Sequence, residues 1–178
     1  MTRFKHVAVL MGGWSSEREV SLRSGKACAD ALERRGYRVT RIDVKRDIAT
    51  VLDQLKPDAA LVMLHGRPGE DGTIQGVLET LGIPYSHSGV LSSSLAMQKD
   101  LAKTVMATAG VPVPEGLTLT RAEVAKGHAM APPYVIKPVA DGSSVGVFIV
   151  TEAHAHPPQE LFREDWPHGD QLLVEKYV

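Results

Sequence analysis

Lys137 closes a strand-like run, Tyr134-Val-Ile-Lys137, and a loop of small residues follows it at Asp141-Gly-Ser-Ser-Val-Gly146. A lysine fixed at a strand end beside exposed backbone N–H groups is a means of holding a polyphosphate. The ammonium is a compact charge, and small residues let the backbone approach phosphate oxygens. No Gly-Lys-Ser/Thr follows four variable residues, so this is not a Walker A loop. Nucleotide chemistry is indicated, by another architecture.

Three other clusters could carry chemistry. Gly12-Gly13-Trp-Ser-Ser-Glu17-Arg-Glu19-Val20-Ser21 follows the first apolar run. Ligands of open α/β sheets bind off the carboxyl ends of strands, so a carboxylate here could hold an ammonium group. Glu17 and Glu19 could equally do no more than complement a helix dipole. His65-Gly-Arg-Pro-Gly-Glu-Asp-Gly-Thr73 gathers three glycines and four charged or imidazole side chains at another strand end, which is the composition of a binding loop. Glu175-Lys176-Tyr177-Val178 closes the last strand, where backbone donors and acceptors beside a carboxylate suit the edge of an adenine ring. Lys99 reads on spacing alone as a surface lysine. His154 and His156, spaced i, i+2 near His168, lack the further placed ligand that zinc requires and read as a surface loop.

The elements that must position these groups alternate in type. His6–Leu10 is a short apolar run ended by Met11-Gly12-Gly13, and Ser16 with Glu19 three residues on predicts a capping box and a helix stopping at Gly36. A strand over 38–44 follows. Ile48, Val51, Leu52 and Leu55 then form an amphipathic helical stripe ended by Pro57. Ala59–Leu64 has the continuous apolar pattern of a strand buried on both faces, and Ile74, Val77, Leu78 and Leu81 mark a helix stopped by Gly82. This alternation predicts a Rossmann-like α/β domain with a parallel sheet. Gly12-Gly13 lacks the Gly-x-Gly-x-x-Gly spacing, so no dinucleotide is implied.

Beyond residue 90 the pattern changes. Residues 92–110 read as one helix, Val111-Pro-Val-Pro114 as a stiff linker, and four short strands (117–119, 134–137, 147–150, 172–178) with a helix near 158–162 form a small α+β unit. The boundaries are 1–96 and 97–178. The last strand runs to the final residue, so the expectation is that more chain belongs beyond Val178.

Composition narrows the classes. Of 178 residues 43% are hydrophobic and 23% charged, as in ordinary globular proteins, and the net charge of −1 supplies no field for nucleic acid or an anionic membrane. The single cysteine, Cys28, forms no internal disulfide and fits a reducing compartment. With no signal-peptide pattern and no membrane span, the expectation is a cytoplasmic protein that binds small molecules.

Taken in order, Gly12-Gly13-x-Ser-x-Glu-Arg-Glu-Val-Ser21, Leu64-His-Gly-Arg-x-Gly-Glu-Asp-Gly-Thr73 with Gln75-Gly76, Pro84-Tyr85-x-x-Ser-Gly89, Lys99, Pro138 through Gly146, and Glu175-Lys176 resemble the D-alanine–D-alanine ligases of the ATP-grasp superfamily. The resemblance covers essentially the whole chain. It implies a Rossmann-like substrate domain followed by the central ATP-grasp lid subdomain, with the C-terminal ATP-grasp subdomain absent. The implied reaction phosphorylates the carboxylate of one D-alanine from ATP, and the amine of a second attacks the acyl phosphate.

Residue by residue, Glu17, with Val20 beside it, matches the carboxylate receiving the first D-alanine's ammonium group. His65 matches the histidine lining the substrate pocket, and Lys99 and Lys137 match the phosphate-binding lysines. Ser143 and Ser144 sit on the loop over phosphates and substrate, which makes Glu17 and Ser143 the catalytic positions. Glu175, Lys176 and Val178 match the segment that clasps adenine. The implied cofactors are ATP and Mg²⁺ (or Mn²⁺), with no metal ligand in this sequence, and the implied assembly is a homodimer through the first domain. Pro68 and Gln98 stand where relatives often carry Gly and Asp. Both positions are peripheral to the implied contacts; it is the absence of the C-terminal subdomain that leads to the expectation of a fragment inactive by itself. The alternatives are another carboxylate ligase, such as one making D-alanyl-D-lactate, and a non-catalytic nucleotide-binding module.

Overall fold

The computed structural model describes residues 4–142 and 144–178; Ser143 lies outside the described residues. The chain divides into two compact units, one up to Ser94 and one from Leu95 to Val178.

In the first unit the alternating pattern gives β1 (His6–Gly12), α1 (Arg18–Arg34), β2 (Arg38–Val44), α2 (Ile48–Leu55), β3 (Ala59–Val62) and α3 (Thr73–Thr80). The strands pair in the order β2-β1-β3, all parallel, with Leu10 opposite both Ile42 and Val62. This is the expected Rossmann-like sheet. Because strand side chains alternate, Ala8 and Leu10 share one face with Ile42, Val44, Ala60 and Val62, and that face meets Ile48 and Leu52 of α2 and Ile74 and Leu78 of α3. Each large aliphatic side chain so buried contributes about 2 kcal/mol. The opposite face is covered by α1, whose buried positions Ser21, Gly25 and Ala29 recur every fourth residue. Small side chains there bring the helix backbone close to β1.

Two expectations fail locally. No capping box forms at Ser16: α1 starts at Arg18 with Glu17 at the N-cap and no side-chain cap bond. β3 is buried on one face rather than two, Ala60 and Val62 being buried and Ala59 and Leu61 half-buried. The cause is that α1 lies over β1 and β2 and stops short of β3.

From residue 90 onward come α4 (Val90–Met97), α5 (Lys99–Thr108), β4 (Gly116–Thr120), α6 (Arg121–Val124), β5 (Tyr134–Pro138), β6 (Phe148–Val150), a 3₁₀ turn at Gln159–Phe162, and β7 (Gln171–Lys176). The four strands form an antiparallel sheet in the order β4-β7-β5-β6. One face is the core, where Tyr134, Ile136, Val150, Leu172 and Val174 pack with Val124 and Leu161. The alternate positions of β5 and β7, including Lys137 and Glu175, project from the other face.

The single helix expected over 92–110 is two helices. Gln98 takes an extended conformation (φ −91°, ψ 94°) and the Lys99 N–H donates to the Val139 carbonyl at 3.1 Å, so a contact distant in sequence breaks the helix. Leu101, Val105 and Met106 of α5 are exposed. Among the described residues no helix is long and apolar enough to cross a membrane.

Candidate functional site

The first unit assembles its candidate groups at the carboxyl ends of β1 and β3. Ser21, fully buried in the first turns of α1, accepts a hydrogen bond from the Gly12 N–H (2.8 Å) and donates to the Met63 carbonyl (2.6 Å). One hydroxyl thereby ties α1 to the ends of both strands. Ser15 links the two loops in the same way, its hydroxyl donating to the His65 carbonyl at 2.7 Å and accepting from the Glu17 N–H at 3.2 Å.

Glu17 and His65 are brought together by this scaffold. A Cβ placed on Gly66 would lie 3.2 Å from Glu17 Oε2, so the carboxylate rests against the backbone beside His65. Arg18 is directed away, donating to Asp43 through both terminal nitrogens (2.7 and 2.6 Å) and to the Gly13 carbonyl (2.9 Å). His65 Nδ1 stands 3.8 Å from Glu70 Oε1, while its Nε2 is buried with no hydrogen-bond partner among the described residues. A buried ring nitrogen left without a partner is uncommon in a folded protein and marks His65 as a candidate. Val20, on the first turn of α1, is exposed. The loop after His65 is held tightly, since a Cβ on Gly69 would come within 2.4 Å of Leu64 Cβ and 2.9 Å of the Leu64 carbonyl.

The second unit gathers its candidates on the solvent face of its sheet, around a cavity of about 270 Å³ rimmed by Lys99, Lys137, Asp141, Ser144 and Glu175 and walled by Val135 and Val147. The helix break at Gln98 makes Lys99 the first residue of α5, from which its ammonium donates to the carbonyls of Val139 (3.3 Å) and Asp141. Burial pushes the Lys99 ammonium below its ordinary value, and the neighbouring Lys137 charge acts in the same direction against Asp141 and Glu175. Ser144 lies in left-handed backbone at φ 59°, uncommon for a residue with a side chain, so the loop turns sharply beside the lysines. Asp141 is itself engaged by His168 Nδ1 at 2.5 Å.

Glu175 is buried in this cluster, not free at a strand end. Lys137 donates to its Oε1 and Lys103 to its Oε2, the latter at 2.7 Å. Burial alone would raise the Glu175 carboxyl, but the hydrogen bonds from Lys103 and Lys137 outweigh it and hold the group below its ordinary value. The ammonium groups of Lys99, Lys103 and Lys137 outnumber the carboxylates of Glu175 and Asp141 by one, an excess of positive charge that suits an anionic ligand. Lys176 and Val178 do not rim the cavity: the Lys176 N–H donates to the Glu115 carbonyl at 2.9 Å, and Val178 is exposed.

Sequence reasoning missed Ser21 and Lys103. Ser21 was legible as the polar member of a small-residue stripe repeating every four positions, and Lys103 as the residue one helical turn beyond Lys99.

The family described as D-ala D-ala ligase N-terminus matches residues 48–88. Over all 178 residues the chain is 89% identical to a D-alanine–D-alanine ligase of Rhodopseudomonas palustris (strain BisB18), of which it spans 58%. Among solved structures, a D-alanine–D-alanine ligase from Bacillus anthracis superposes with a TM-score of 0.79 at 35% identity, covering 97% of this chain and 57% of that one. The same organism's ligase complexed with ATP superposes at 0.77 and 31% identity, covering 98% and 59%. Identity of this degree along the whole sequence makes the chain similar to the N-terminal part of the D-alanine–D-alanine ligases, of whose length it spans under two thirds.

Proposed function

We propose that this chain supplies the first-substrate site and the nucleotide cleft of an ATP-dependent D-alanine–D-alanine ligase. The observation that carries the reading is the cleft of the second unit. Lys99 and Lys137, beside a tight glycine/serine loop, concentrate positive charge in a protein whose net charge is −1. ATP bound there would supply the phosphoryl group. Lys99 and Lys137 would neutralise its phosphates and hold them for transfer, a reaction in which positioning and charge do most of the work. Ser144, and Ser143 by its place in the sequence, would cover the phosphates. Glu175 would border the adenine; Lys176 and Val178, outside the cavity rim, are assigned beside it on the family resemblance alone.

In the first unit, Glu17 would receive the ammonium group of the first D-alanine. His65 would offer the unpartnered Nε2 to the substrate, with Val20 at its edge. The ligase closes a new amide bond after an acyl phosphate forms, so both groups serve to orient the substrate rather than to react. Mg²⁺ (or Mn²⁺) would accompany the ATP phosphates; among the described residues no three His, Cys, Asp or Glu side chains converge on one point to hold it. A boundary near residue 96, a homodimer through the first unit and a cytoplasmic location belong to the same proposal.

Glu17→Gln in the complete protein tests the substrate assignment. Losing one charge-assisted bond should raise the D-alanine KM about tenfold or more while the ATP KM stays within about twofold. An unchanged D-alanine KM, followed by ADP release, would remove Glu17 from the site.

A further inference from the structure

Lys103 stands just outside the cleft and has no role in the reading above. Its position is nonetheless well defined. It lies four residues after Lys99 in α5, on the same helical face, with its side chain 18% exposed. Its ammonium meets Glu175 Oε2 at 2.7 Å while Lys137 occupies Oε1 of the same carboxylate. The approach is kept open by Gly116, on which a Cβ would come within 3.0 Å of Lys103 Nζ and 2.8 Å of the Val174 carbonyl.

Two consequences follow from one carboxylate bridging two ammonium groups. Both oxygens being engaged, Glu175 cannot rotate, and the Lys137 side chain bonded to it is fixed in direction. Against the carboxylates of Glu175 and Asp141, the ammonium groups of Lys99, Lys103 and Lys137 retain a surplus of one positive charge, and a neutral residue at 103 removes it.

We propose that Lys103 is a positioning residue for the nucleotide phosphates, acting through Glu175 to orient Lys137 and to preserve the positive charge of the cleft. The proposal rests on the nucleotide reading of that cleft. Its test is calorimetric binding of ATP and of adenosine to the complete protein as wild type, Lys103→Met, Lys103→Arg and Lys99→Met. Lys103→Met should weaken ATP about tenfold, the scale of one charge near a protein surface, and leave adenosine within about twofold. Lys103→Arg should recover most of the loss. In a Glu175→Gln background the effect of Lys103→Met should shrink, because the residue through which it acts is gone.

Unchanged ATP affinity in Lys103→Met overturns the proposal, as does an equal loss for ATP and adenosine, which would mark a merely structural lysine. Wild type that binds no ATP, or Lys99→Met that binds it normally, overturns the nucleotide reading itself. Lys103→Gln takes the place of Lys103→Met if the latter does not fold.

Discussion

Around Glu17 and His65 the candidate site is shaped by closely packed, hydrogen-bonded backbone, whereas around Lys137 it is shaped by ammonium and carboxylate groups that pair with one another. In the first unit, the hydroxyls of half-buried Ser15 and buried Ser21 bond main-chain groups from three segments, and Gly69 lets the loop after His65 lie against Leu64. In the second, the strands supply a regular face, and specificity comes from which charges alternate onto it. A small amino acid with one ammonium and one carboxylate calls for fixed geometry. A polyphosphate calls for concentrated charge that tolerates variation in detail. The two kinds of construction should therefore fail differently.

The largest effect is expected where backbone meets backbone. Gly69→Ala would force a methyl group to within 2.4 Å of Leu64 Cβ and 2.9 Å of its carbonyl oxygen, neither at the end of a flexible side chain. Overpacking of this kind costs about 2–3 kcal/mol, readable as a lowered urea midpoint at unchanged slope. A neutral Gly69→Ala would show that the His65 loop has slack and would break the contrast at its stronger end.

A second prediction concerns charge. Glu175 has a folded pKa below its ordinary value, so the stability it contributes is present above the unfolded carboxylate pKa of about 4.3 and is lost as pH falls through the folded value. Glu175→Gln should cost about 2 kcal/mol at neutral pH, as for hydrogen bonds to charged groups, by leaving Lys103 and Lys137 without their counter-ion. It should also flatten the pH dependence of the urea midpoint below about pH 4.5, where the wild-type curve falls. Identical acid limbs in the two proteins would mean that the carboxylate does not stabilise the fold.

The same division explains what could be read from sequence. Ile48, Val51, Leu52 and Leu55 announce α2 because one-sided burial imposes the helical period, and the β1-α1-β2 alternation fixes a parallel sheet because no short turn can join parallel strands. The placement of Glu17 and His65 at strand ends, and of Lys137 beside its loop, follows from local order alone. What could not be read depends on partners far along the chain. Neither glycine nor proline marks the break at Gln98, because the Val139 carbonyl causes it. Glu175 looked like a free strand-end carboxylate, because its partner Lys103 lies 72 residues earlier. The exposure of Leu101 and Val105 is hidden for the same reason, since an apolar stripe does not say what covers it.

The smallest expected effect sets one four-residue pattern against itself in the two units. Ser16-x-x-Glu19 and Thr120-x-x-Glu123 both have the form of a capping box. Only the second closes: the Glu123 N–H donates to Thr120 Oγ1 at 3.2 Å, and the Thr120 N–H donates to Glu123 Oε2 at 2.8 Å. At the first, the neighbouring Ser15 hydroxyl is committed to the His65 carbonyl and to the Glu17 N–H, and the helix begins at Arg18 with Glu19 exposed. Thr120→Ala should therefore cost about 1 kcal/mol, and Ser16→Ala less than about 0.5 kcal/mol, both by urea unfolding. Equal costs would mean that Ser16 helps to hold the Glu17 turn, and the geometry of the first site would then rest on one hydroxyl more than Ser15 and Ser21. A gap of the expected size assigns the turn to those two alone, and capping at α1 is what the chain has given up to place Glu17 beside His65.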